Sequence, residues 1–100
     1  MDHLSLDDLD DYPHASVFED SPKTVRLALD AGEGVAAHSH PGKDVLIVVL
    51  EGTVEVTLDG DSVTAEEGDV VRFDGEREVA PEAVTDARAL VVLAHRADAD

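Results

Sequence analysis

An all-β sandwich or barrel is the fold class this sequence predicts, and three observations carry it. Short runs alternate apolar and polar residues with a period of two, most cleanly at Thr24–Asp30 and Thr53–Asp59. Turn signals recur every eight to twelve residues between them. No stretch repeats apolar residues at helical spacing. One hundred residues allow one small domain with one core, and an apolar share of 43% rules out a wholly disordered chain despite its charge.

Residues 1–14 form an acidic N-terminal segment of partial order, read either as a solvated, partly frayed tail or as a short turn whose Leu4, Leu6 and Leu9 lie on the barrel or on a second subunit. The single domain spans 15–95, and 96–100 is a polar tail. A first short strand is expected over Ala15–Glu19, ahead of the Asp20-Ser21-Pro22-Lys23 turn. Thr24–Asp30 follows, with Val25, Leu27 and Leu29 on one face. After the Ala31–Gly34 turn, Gly34–His40 reads as a strand with Ala36, His38 and His40 together, broken by Pro41-Gly42. Val45–Leu50 is apolar on both faces and should be covered on both sides. Thr53–Asp59 turns Val54, Val56 and Leu58 inward, and Asp59-Gly60 is a hairpin signal leading back through Ser62–Ala65. Val70–Phe73, a weak strand over Arg77–Ala80 ended by Pro81, and Ala87–Ala94 complete the set. Leu90 or Val91 should join the core.

His38 and His40, two apart on an extended segment, project to one face and can share a divalent metal, with a nearby carboxylate as an oxygen ligand. Gly34, His38-Ser39-His40, an acidic position and an apolar strand closed by Gly52 together resemble the first motif of the cupins. That resemblance, over roughly Thr24–Ala94, implies a cupin-type double-stranded β-helix, or jelly roll. It also implies a metal site of three histidines and one glutamate. Counting forward from His40 puts the acidic ligand at Asp44, whereas counting back from Gly52 puts it at Val45; Asp44, the only acid between Glu33 and Glu51, is the candidate. The second motif of the family begins well at Gly68-Asp69-Val70-Val71-Arg72-Phe73, but its histidine position falls on Val79. A strand shifted by one residue would turn Glu78 inward instead. The candidate metal ligands are therefore His38, His40, Asp44 and Glu78, an incomplete set for Zn, Mn, Fe or Ni. His3, His14 and His95 read as surface histidines, and Arg72 and Arg88 as ion-pair partners of an acidic surface.

Asp and Glu number 24 against seven Lys and Arg, for a formal charge of −17. Such a surface repels nucleic acid and anionic lipid, which excludes both as expected partners. The composition resembles that of proteins from salt-in halophiles, whose self-repulsion molar salt screens. No signal peptide is legible in the acidic first residues, so the cytoplasm is the expected location. The chain has no cysteine and no serine in a nucleophile-elbow context, so any catalysis would be metal-assisted. Three functions compete: a small cupin holding a metal or small molecule without turnover, a metal-dependent cupin enzyme of the oxygenase, isomerase or lyase kind, and a dimerisation domain with a vestigial site. The expected partners are a small-molecule ligand and a second copy of the chain, paired through the apolar Val45–Leu50 face.

Overall fold

The computed structural model describes residues 1–96. Eight antiparallel strands form two facing sheets of jelly-roll type. They are β1 (His14–Phe18), β2 (Lys23–Leu29), β3 (Lys43–Glu51), β4 (Thr53–Leu58), β5 (Asp61–Glu66), β6 (Val70–Asp74), β7 (Val79–Ala83) and β8 (Ala87–His95). The larger sheet runs β1-β2-β8-β3-β6 and the smaller β5-β4-β7. Of the tail expected at 96–100, all beyond Arg96 lies outside the described residues.

Cross-strand register decides which residues face inward. Directly opposed residues share a face, so Val25, Val91, Ile47 and Val71 form one inward row, and Leu27, Ala89 and Val49 the next. Val54, Val56, Ala65, Val79 and Ala83 meet them from the smaller sheet. Each buried Val or Leu contributes about 1.5–3 kcal/mol relative to exposure. Val91 packs against the core, while Leu90 falls on the outer face. The Asp59-Gly60 turn has positive φ at both positions, 48° and 93°, which matches the twist of the hairpin it closes.

Three expectations are corrected. Gly34–His40 is not a continuous strand; it touches β7 at two isolated bridges, Gly34 with Glu82 and His38 with Val79. Four steps on one side match three on the other, so the segment bulges by one residue and its alternation slips. Val35, not Ala36, therefore turns inward with His38 and His40. Pro81 does not end β7 but sits inside it. Its carbonyl accepts from Val35 N at 2.9 Å, on the side of β7 away from β4, where a missing N–H breaks no bond of the sheet ladder. Finally, β3 is covered on one side only: Val45, Ile47 and Val49 are buried, whereas Leu46, Val48 and Leu50 on the outer face are half-buried.

The outer face of β2 has its own cover. Arg26 points away from the core yet is 1% exposed. Its Nη2 donates to Asp11 O at 2.7 Å, and its guanidinium stacks on the Tyr12 ring at 4.8 Å. Ala28 N donates to Pro13 O at 2.8 Å, and Arg88 reaches Asp7 at 3.4 Å. The N-terminal segment, with one 3-10 turn at Leu6–Asp8, is thus strapped to the sheet.

Candidate functional site

Between the sheets lies a cavity of about 70 Å³, lined by His14, His38, His40, Val45, Phe73 and Val79 among others. A larger groove of about 530 Å³ runs under the N-terminal strap, but it holds none of the histidines, and Asp7 and Glu51 there meet Arg88. The histidine cavity is the candidate site.

The cavity's mouth is built by backbone. His38 exchanges hydrogen bonds with Val79, N to O at 3.1 Å and O from N at 2.8 Å. His40 N donates to Gly75 O at 2.7 Å, and Gly75 N donates to Lys43 O at 2.8 Å. A Cβ on Gly75 would collide with the carbonyl oxygens of His40 and Lys43, so only glycine lets the β6–β7 connection pass beneath His40. Glu76 clamps the Pro41-Gly42 turn by accepting from Gly42 N at 2.7 Å.

The two imidazoles meet edge to face, 4.8 Å between centroids at 86°. His38 Nδ1 lies 2.8 Å from Ala36 O. A carbonyl can only accept, so Nδ1 carries a proton in this contact, and in the singly protonated ring Nε2 is the acceptor. Burial first, then the charges of His38 and Lys23, hold the His40 pKa below its usual 6.5.

The other two candidate ligands do not join this pair. Asp44 lies on the outward side of β3, beside Arg96, whose Nε is 3.5 Å from its carboxylate; Arg96 also binds Asp74 at 2.7 Å. Glu78 is exposed, its backbone tied to the Asp59 turn, while Val79 is 3% exposed and inside. Val45, 1% exposed, lines the cavity at the other contested position. Among the described residues no group of three or more histidines and carboxylates is placed to hold a metal. His14 is exposed, as expected of a surface histidine, and also reaches the cavity's lining. It pairs with Leu27 and therefore shares the inward face of β1 and β2. The signal that would have found it is that pairing, which no local pattern encodes.

The family model for the cupin domain matches residues 25–95. The chain belongs to the cupin family. An RmlC-like cupin protein from Desulfovibrio desulfuricans is 31% identical, with 94% of this chain and 95% of that one covered and a TM-score of 0.78. KdgF from Halomonas sp. is similar in fold at 22% identity, covering 91% and 88%, TM-score 0.76. A predicted oxalate decarboxylase from Thermotoga maritima matches at 23% identity, covering 83% and 79%, TM-score 0.74. No curated protein matches the chain. Against the cupin pattern, this chain carries two of the three imidazoles, with Val45 and Val79 lining the cavity where the remaining ligands are expected. That donor set does not fit the family's metal centre.

Proposed function

We propose that this cupin is a binding module that holds a small organic molecule in its barrel without a metal. The observation that carries the reading is Val45 and Val79 on the cavity wall, two apolar side chains at the positions of a carboxylate and an imidazole. Apolar walls with a few convergent polar groups are the usual form of a small-molecule site. At about 70 Å³ the cavity is well under the volume of a drug-sized pocket, so the ligand has only a few non-hydrogen atoms. The oxalate decarboxylase and KdgF likenesses support the fold alone. Copies of the chain pair through the half-buried outer face of Leu46, Val48, Leu90 and Val92. The test is ligand-observed NMR with a set of small organic compounds, with and without a chelator, on wild type and on Val79→Phe. Binding that survives the chelator and is lost when phenylalanine fills the cavity is expected. Binding that vanishes with the chelator would overturn the metal-free reading.

A further inference from the structure

The cavity carries none of the acidity of the chain. Acidic residues number 24 in 100, yet none of the 13 residues lining the cavity is acidic. Three of the five histidines line it instead: His14 from β1, and His38 and His40 from the bulged segment. One of the two lysines stands on the same inward face. Lys23 opposes Leu93, Leu93 opposes Val45, and Val45 opposes Phe73, so the four form one row across the sheet. Leu93, Val45 and Phe73 all line the cavity, and Lys23 ends their row. A lysine beside a concave, low-dielectric site that is free of carboxylates favours an anion there over a cation.

We infer that the ligand is a short-chain carboxylate, its apolar tail against Val45, Phe73 and Val79 and its charged end toward His14, His40 and Lys23. The inference rests on the binding-module reading above and adds the ligand's charge. Each contact has a chemical reason. A carboxylate only accepts, and it needs N–H donors; a lysine ammonium has three and an imidazole one or two. Charge-assisted bonds of this kind are roughly twice as strong as neutral ones. His38, with Nδ1–H spent on Ala36 O, offers an acceptor instead and is not part of the anion clamp. Glu76, beside Gly75 at the mouth, is turned onto Gly42 N and does not line the cavity.

The experiment compares butyrate with butyramide, which share a tail and differ in charge, by calorimetry at one fixed KCl concentration so that screening and chloride competition are common to both. Butyrate is expected to bind at least tenfold more tightly. Lys23→Gln and His14→Ala should each weaken butyrate several-fold and narrow its advantage over butyramide; both positions are exposed, so the variants fold. Equal affinity for the two probes would overturn the anion inference and leave the binding-module reading standing. Absence of binding by either probe would overturn both.

Discussion

If two valines are what keep a metal out of this cavity, restoring the two missing ligands should let one in. The variant is Val45→Glu/Val79→His. Both side chains point into the cavity and are 1% and 3% exposed, so the new carboxylate and imidazole would join His38 and His40 rather than reach solvent. Without metal the change is costly. Lost burial of each valine and desolvation of each polar group cost about 2 kcal/mol per site, less than additively because the sites share one cavity. Metal should return much of this: at a free concentration about one hundred times Kd, binding stabilises the folded state by about 2.7 kcal/mol. For a chain of this size that corresponds to a rise in melting temperature of roughly 10–20 °C. The assay is thermal unfolding by circular dichroism with and without Zn²⁺, Mn²⁺, Fe²⁺ or Ni²⁺, on wild type, His38→Ala and the double variant. Wild type and His38→Ala should respond alike and weakly, and the double variant strongly. A wild-type melting temperature that rises as far as the double variant's would refute the reasoning, as would a folded double variant indifferent to every metal.

Gly75→Ala should cost about 1–3 kcal/mol in urea unfolding and weaken ligand binding, because the added methyl presses on the His40 and Lys43 carbonyls. The lowered His40 pKa means that the unfolded chain takes up a proton before the folded one as pH falls below 6.5. The stability due to neutral His40 is therefore complete above that value and is lost toward the lower folded pKa. Between about pH 7.5 and about pH 5.5 the melting temperature of wild type should fall relative to that of His40→Gln, and parallel curves would contradict the shift. With −17 on 100 residues, the melting temperature should climb steeply from low to molar KCl as repulsion is screened; indifference to salt would remove the physical basis of the halophile resemblance. Leu46→Lys, on the half-buried outer face opposite Val92, should shift the mass seen by light scattering from dimer to monomer.

The all-β architecture was legible in the chain because it follows from local rules. Alternation places Leu27, Leu29, Val54 and Val56 in the core, and Asp59-Gly60 closes a hairpin whatever the rest of the molecule does. The cavity's histidine pair was legible for the same reason, since two residues of extended chain return a side chain to one face. What tertiary structure alone decided is parity. Val45–Leu50 is apolar at every position, so nothing local distinguishes Asp44 inward from Val45 inward; the ladders of β3 with β8 and β6 choose Val45. Pairing with β4 likewise turns Val79 in and leaves Glu78 exposed. The one-residue bulge that brings Val35 beside His38 arises where two segments distant in sequence meet. His14 and Lys23 reach the cavity face through partners 13 and 70 positions away, Leu27 and Leu93. A sequence states what each residue can do on either face; only the hydrogen-bond register of the assembled sheets states which face it has.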